Sequence, residues 1–347
     1  MPNFATKMDN AKPSAVVQIS EKVGALKKQG RDVISFSIGV PNFLPADHVY
    51  QAAHKAIEAD SGAYLPGRGS EELVDAFIAQ MANKGLPYQK NEVVAAVGGK
   101  QALFHLLFAM LNEQDEVLIP TPYWTSYPDM VDLLGGRSVP LHCPANQNYK
   151  LKPQQIADAI TPKTKVMLFN NPSNPTGMVY SRDEIKALGD ELEKHDIWLI
   201  SDDIYDRMIF DGEEFHHLLH TNPHLRDRTA CVQSISKNYG MPGWRVGMVA
   251  APEAIISKLL TLSSTSLTNI NNVSMAAAAA AFGGDQAFST AAVAMFAQKR
   301  DRVMAALADI PNLTCPLPKG AFYAFPDVSA YYGKTHNGQK ITDDIAL

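Results

Sequence analysis

Between residues 93 and 250 short apolar runs alternate with stretches whose apolar positions recur every three or four residues. Val93–Val97, Glu116–Ile119, Lys165–Phe169 and Ile197–Ser201 read as strands, and Ala102–Leu111 reads as a helix. This alternation of strand and helix predicts a mostly parallel sheet covered on both faces. Ahead of that region, Val17, Ile19, Val23 and Leu26 give Ser14–Lys28 a helical spacing that stops at Gly30. Val33–Ile38 reads as a short strand entering a turn at Gly39–Phe43, and a helix is expected over Val49–Glu58. Ser70 is placed to cap a helix beginning at Glu71.

Behind the alternating region, helices are predicted over Ala254–Leu262, Met275–Phe282 and Ala291–Leu307, with a polar turn over Ser263–Asn272. Lys319–Phe325 reads as a strand. The fold class expected is α/β: a large domain with a mixed, mostly parallel sheet and helices on both faces, plus a smaller α+β domain built from the two chain ends. The division expected is 1–45 for the N-terminal arm and part of the small domain, 46–310 for the large domain, and 311–347 for the rest of the small one.

Composition narrows the classes without naming a chemistry. At 46% hydrophobic and 19% charged residues the chain falls among globular proteins. A net charge of −5 leaves no basic footprint for nucleic acid. No apolar run is long enough to span a bilayer, and no leader is evident, so a cytoplasmic location is expected. Cys143, Cys231 and Cys315 are far apart and form no CxxC, which predicts neither disulfides nor a zinc site. His216, His217 and His220 cluster without an intervening glutamate and read as a solvated face; no metal is expected.

The chemistry concentrates in Ser234–Gly247. An apolar run ends in Ser234 and Ser236, then Lys237, and Arg245 follows after a reversal rich in glycine and proline. A lysine in a partly apolar pocket loses proton affinity and can add to an aldehyde. Arginine with serine hydroxyls matches phosphate oxygens. An aldehyde bearing a phosphate is pyridoxal phosphate; the competing reading is an ordinary surface turn. Gly98 and Gly99, between a strand and a helix, would supply backbone N–H groups as a second wall of one anion seat. Asp202 ends an apolar strand, where open α/β sheets place ligands. It would pair with a pyridine nitrogen and keep it protonated, and Tyr205 would reach the ring hydroxyl.

The same stretch, with Asn171-Pro172-Ser173-Asn174-Pro175-Thr176-Gly177 and the Gly39-Val40-Pro41-Asn42-Phe43 turn, resembles the class I aminotransferases of fold type I. Val40 and Asn42 depart from that family's turn. The resemblance implies that Gly39 faces the substrate carboxylate and that Asn174 bonds the ring oxygen and that carboxylate. It implies that Trp124 stacks on the pyridine with Tyr127 nearby, although packing is the alternative for this tryptophan. It also implies a homodimer in which the Tyr64 loop touches the neighbouring cofactor phosphate. Lys100 matches a lysine of the aspartate-using gamma subgroup that pairs with the substrate's distal carboxylate, and is expected to line cofactor and substrate.

A transaminase moving an amino group from an L-amino acid of the aspartate or glutamate type to a 2-oxo acid is therefore expected. Lys237 would hold the cofactor and then move the α-proton. A carbon–sulfur β-lyase on the same fold, or a transaminase of aromatic or broad range, are the alternatives. Ile341–Leu347 reads as the opening of a helix without a stop. A carboxylate-binding arginine that the family carries further on finds no counterpart, so the chain is expected to be C-terminally incomplete.

Overall fold

The computed structural model describes residues 4–8, 11, 15–36, 38–59 and 62–347. Ser14 and Ser37, at the edges of two expected elements, lie outside the described residues. At the centre is a seven-stranded sheet: β1 (Val93–Ala96), β2 (Glu116–Thr121), β3 (Arg137–His142), β4 (Thr164–Asn170), β5 (Trp198–Asp202), β6 (Thr229–Ser234) and β7 (Gly247–Ala250), in spatial order β1-β7-β6-β5-β4-β2-β3. Strands β6, β5, β4, β2 and β3 are mutually parallel, whereas β7 runs antiparallel to both β1 and β6.

Side chains alternate across this sheet and feed two separate cores. Val93, Ala95, Leu118, Met167, Phe169, Leu199, Cys231 and Met248 belong to one. It is covered by the helices Asp47–Glu58, Glu71–Asn83, Arg182–Leu192 and Asn272–Gly283. Val94, Val117, Ile119, Val166, Leu168, Ile200, Val232 and Val249 belong to the other, under Gly98–Met110, Ser126–Leu133 and Glu253–Ser266. The central strands are buried on both faces, which is why they read as largely apolar runs.

A third, smaller cluster gathers Tyr205, Met208, Phe210, Phe296 and Ala321, with Phe43, Phe322 and Tyr323 against it. It joins the end of the sheet to the long helix Ala287–Ala308 and to the last part of the chain.

Several boundaries differ from the expectation, each for a local reason. Gly98 takes φ +75°, and the helix starts there rather than at Ala102. The helix from Glu253 continues to Ser266, through what reads as a polar turn. Thr261, Thr265 and Ser266 turn their hydroxyls back onto carbonyls four residues earlier, so the polar residues stay helical. No strand forms over the described residues of 33–38, most of which are exposed at the surface. Lys319–Phe325 contributes one bridge, Gly320 to Ile209, because Ala321 at φ 54° breaks the extension. Ile341–Leu347 is irregular; the Asp343 carboxylate takes the Ala346 N–H at 2.9 Å in place of a helical carbonyl. Ser70 caps its helix as expected, accepting from the Leu73 N–H at 3.3 Å.

The histidine cluster is not a solvated face. His217 is buried, and its Nδ1 accepts the Leu219 N–H at 3.0 Å, while Nε2 lies 3.4 Å from Asp203 and from Cys231. The three groups are close enough to surround an ion. A metal-bound histidine, however, donates from its other ring nitrogen, and here that nitrogen already accepts a backbone N–H. The ring is turned for packing, with its proton on Nε2 facing Asp203 and Cys231.

Candidate active site

The carboxyl ends of β1, β2, β4, β5 and β6 open on one edge of the sheet. Register places Ala96 and Ser234 on either side of Gly247, and Asn170 beside Asp202. A cleft of about 1230 Å³ lies over that edge. Gly39, Gly99, Lys100, Trp124, Asn174, Asp202, Tyr205, Ser234, Ser236, Lys237 and Arg245 all line it, so residues scattered over some two hundred positions of sequence come together.

Two of the predicted residues do not line the cleft. Gly98 stands just behind it: a Cβ there would lie 2.8 Å from Arg245 Cζ, so its absence admits the guanidinium rather than a ligand. Tyr64 is 87% exposed and does not line the cleft of its own chain.

The anion seat is built from backbone and charge. Ser234 caps the short helix Ile235–Asn238, accepting the Ser236 N–H at 3.1 Å and donating to the Val246 carbonyl at 2.9 Å. Arg245, at φ 57°, folds back so that Nη1 reaches the Pro242 carbonyl at 2.8 Å and Nη2 the Val97 carbonyl at 3.2 Å. Guanidinium, two hydroxyls and the N-terminus of the helix Gly98–Met110 thus face one spot, an arrangement that suits a phosphate.

Lys237 follows the cap, its amine donating to the Gly39 carbonyl at 2.6 Å and lying 5.6 Å from the centre of the Phe322 ring. Burial, helped by the positive charge of Arg245 and opposed by Asp202, brings its pKa from 10.5 down to about 8. About a tenth of the amine is then free at pH 7, far more than for a solvated lysine, and the free amine is what a nucleophile requires.

Asp202 is buried at the end of β5. Its Oδ2 accepts the Tyr127 hydroxyl at 2.6 Å, and its Oδ1 makes no hydrogen bond. Burial pushes its pKa up to about 7; Asp203 adds to the rise, while the Tyr127 hydroxyl, the Ile204 N–H and Lys237 hold it down. A buried carboxylate oxygen left open is costly unless a donor arrives, and a protonated pyridine nitrogen is such a donor.

Asn170, from the end of β4, donates to the Asp202 carbonyl at 2.7 Å and accepts the Asn174 N–H at 2.7 Å, tying the Asn-Pro turn to the floor of the cleft. On the opposite wall Lys100 donates to Ser126 Oγ at 3.1 Å and sits 4.7 Å over the Trp124 ring. Burial lowers its pKa, Asp129 opposes this and Arg245 adds to it.

Tyr323, within the segment Lys319–Phe325, also lines the cleft, which its sequence pattern does not signal. Its hydroxyl stands 2.7 Å from that of Tyr205. Tyr127, expected only near Trp124, is the residue that holds Asp202. Nothing in the spacing of either tyrosine announces a hydroxyl partner, because both contacts join distant parts of the chain.

A lysine primed for an aldehyde, a seat for a phosphate and an open buried carboxylate on one edge of a covered sheet define a site for pyridoxal phosphate. The chain belongs to the class I and II aminotransferases, whose family model matches residues 31–344. It is similar to an aspartate/prephenate aminotransferase of Cereibacter sphaeroides, at 41% identity over 350 residues covering 100% of this chain and 88% of that one. An aspartate aminotransferase of Geobacillus stearothermophilus is 38% identical over 93% of this chain and 83% of its own. The crystal structure of the aspartate aminotransferase from Rhizobium meliloti matches with a TM-score of 0.96 at 35% identity, covering 100% of this chain and 87% of that chain. The protein is thus an enzyme, a pyridoxal-phosphate-dependent transaminase acting between amino acids and 2-oxo acids. Among the described residues no helix is long and apolar enough to cross a membrane.

Proposed function

We propose that this transaminase takes L-aspartate or L-glutamate as amino donor, and that Lys100 recognises the distal carboxylate. The observation that carries this reading is an ammonium lining the cleft that forms no ion pair among the described residues, its one hydrogen-bond partner being the neutral Ser126. An unpaired cation in a cleft gains a charge-assisted contact from an incoming carboxylate. The wall beside it is apolar, with Ile19, Phe36, Ile38 and Phe325, and leaves room for a bulkier dicarboxylic oxo acid as acceptor. The Cereibacter relative, by its name, uses both aspartate and prephenate.

In this reading Arg245, Ser234, Ser236 and the Gly99 N–H hold the phosphate, and Trp124 covers one face of the ring. Asp202 Oδ1 accepts the ring N–H and keeps that proton in place. Bound pyridoxal phosphate supplies an electron sink for the substrate's α-carbon. Tyr205 and Asn174 donate to the ring oxygen, and Gly39 faces the α-carboxylate. Lys237 Nζ, once free, takes the α-proton and returns it on the other side of the exchange; its lowered pKa fits that role. We further propose a cytoplasmic homodimer, supported by the outward-facing Ile34, Phe36, Leu44 and Tyr64, with Tyr64 reaching the partner's phosphate. In the same reading residues 1–45 supply an N-terminal arm and part of the smaller domain, 311–347 the rest of it, and 46–310 the large domain.

The test is a titration of the cofactor-loaded enzyme with L-aspartate and with L-alanine, for wild type and Lys100→Met. Loss of a charge-assisted contact weakens aspartate by about ten- to a hundred-fold and leaves alanine unchanged. Equal losses for the two donors would overturn the role of Lys100. Release of pyruvate and thiol from a cysteine conjugate, with no conversion of the cofactor by aspartate, would favour the β-lyase instead.

A further inference from the structure

Tyr323 reaches the cleft from the far end of the sequence, and its placement is fixed from several sides. The N–H groups of Lys319 and Gly320 both bond the Gly177 carbonyl at 2.8 Å, and the Ala321 N–H bonds Met208 at 2.8 Å. The segment is therefore docked on the turn that carries Asn174 and on the loop that follows Tyr205. Its ring meets the Tyr205 ring edge-on at 5.7 Å. Gly39 lies so close beneath it that a Cβ there would stand 2.9 Å from Tyr323 Cε1. Three parts of the chain close around one hydroxyl group.

The polarity of that hydroxyl follows from its neighbours. Asn174 Nδ2 can only donate, and it lies 3.5 Å from the Tyr323 oxygen. A tyrosine hydroxyl has one proton, and Tyr205 stands 2.7 Å away, where either oxygen could be donor. With the Tyr205 proton given to the cofactor's ring oxygen, as proposed above, the 2.7 Å contact takes the proton of Tyr323, and Asn174 is placed to donate to the Tyr323 oxygen.

We propose that Tyr323 is a positioning residue that orders the chain Asn174 to Tyr323 to Tyr205 and makes Tyr205 a strengthened donor to the cofactor's ring oxygen. This rests on the placement of pyridoxal phosphate given above, with Tyr205 beside the ring oxygen. Donation into the oxygen of a hydroxyl sharpens its own O–H as a donor, because successive hydrogen bonds polarise one another. A stronger donor at the ring oxygen favours its anionic form and so disfavours a proton on the nearby nitrogen that joins Lys237 to the cofactor. Asp202, Arg245 and Lys100 also face this space and set the absolute value; none of them is altered by a change at Tyr323.

The experiment is a pH titration of the visible absorption of the loaded, substrate-free enzyme, with cofactor affinity measured alongside. Tyr323→Phe, which keeps the ring, raises the midpoint by about half a pH unit, since the cooperative part of a charge-assisted bond is a fraction of the whole. Tyr205→Phe raises it further, and the double variant matches Tyr205→Phe alone, because Tyr323 acts only through Tyr205. A 3-fluorotyrosine in place of Tyr323, a better donor of nearly the same shape, lowers the midpoint; this comparison stands even if the phenylalanine variant folds poorly. Unchanged midpoints for the phenylalanine and fluorotyrosine forms, or shifts that add in the double variant, would overturn the proposal while leaving the cofactor site intact. A wild-type protein that takes up no cofactor would instead overturn the site on which the proposal rests.

Discussion

Replacing Asp202 by asparagine is expected to stabilise the cofactor-free protein at pH 8 and to stop doing so at pH 5. In the folded chain the carboxyl is buried with Oδ1 open, and its pKa rises from 3.8 to about 7, chiefly through burial. Because the folded value lies above the unfolded one, the folded state binds the proton more tightly. The stability this gives is complete below about pH 4 and is lost as pH climbs towards 7. The gap corresponds to about 4 kcal/mol as a ceiling. Asparagine can still accept from Tyr127 but leaves an amide N–H group unpaired, a loss of roughly 1–3 kcal/mol. The balance at pH 8 is then a gain of about 1–3 kcal/mol, and at pH 5, where about 1.7 kcal/mol of the gap still applies, it falls close to zero. Urea unfolding of both proteins, freed of cofactor, at the two pH values reads the difference directly. A variant equally destabilised at both would refute the claim that Asp202 bears a burial strain relieved by a ring N–H. In the loaded enzyme the sign reverses, because the asparagine cannot provide the charge.

Lys237 leads to a second pH dependence of opposite origin. Its pKa is lowered to about 8, so the rate at which the cofactor-free protein captures pyridoxal phosphate should rise with pH and level off just above 8. A rise continuing towards 10.5, followed by stopped-flow absorbance, would show the amine to be solvated instead. Gly98→Ala places a methyl group against the Arg245 guanidinium, with Cζ only 2.8 Å from the new carbon. Displacement of one charge-assisted phosphate contact weakens cofactor affinity by about tenfold or more, measured by equilibrium dialysis. Free pyridoxal, which lacks the phosphate, should bind the variant and the wild type alike.

Sequence alone determined a great deal here because much of the chemistry sits at strand ends. Asp202, Ser234 and the Gly98-Gly99 turn each follow an apolar run directly, so locating the strands located the groups, and parallel strands put their carboxyl ends on one edge. Lys237 and Arg245 were legible because a short reversal ties them together. The resemblance supplied Asn174, Trp124 and Lys100, which local pattern would have left as turn, packing and solvated residues.

Only the tertiary structure decided the rest. The antiparallel run of β7 depends on pairing with β1 and β6, which no local periodicity records. Gly98 serves Arg245, 147 positions away in the sequence, and so stands behind the seat rather than in it. The burial of His217 within an apparently polar run follows from Asp203, just past β5, and Cys231 of β6 closing on it. Tyr127 and Tyr323 became visible as site residues through hydroxyl contacts spanning 75 and 118 positions. Local pattern fixes which backbone a residue rides on; which hydroxyl meets which acceptor is set by the packing of helices and loops around the finished sheet.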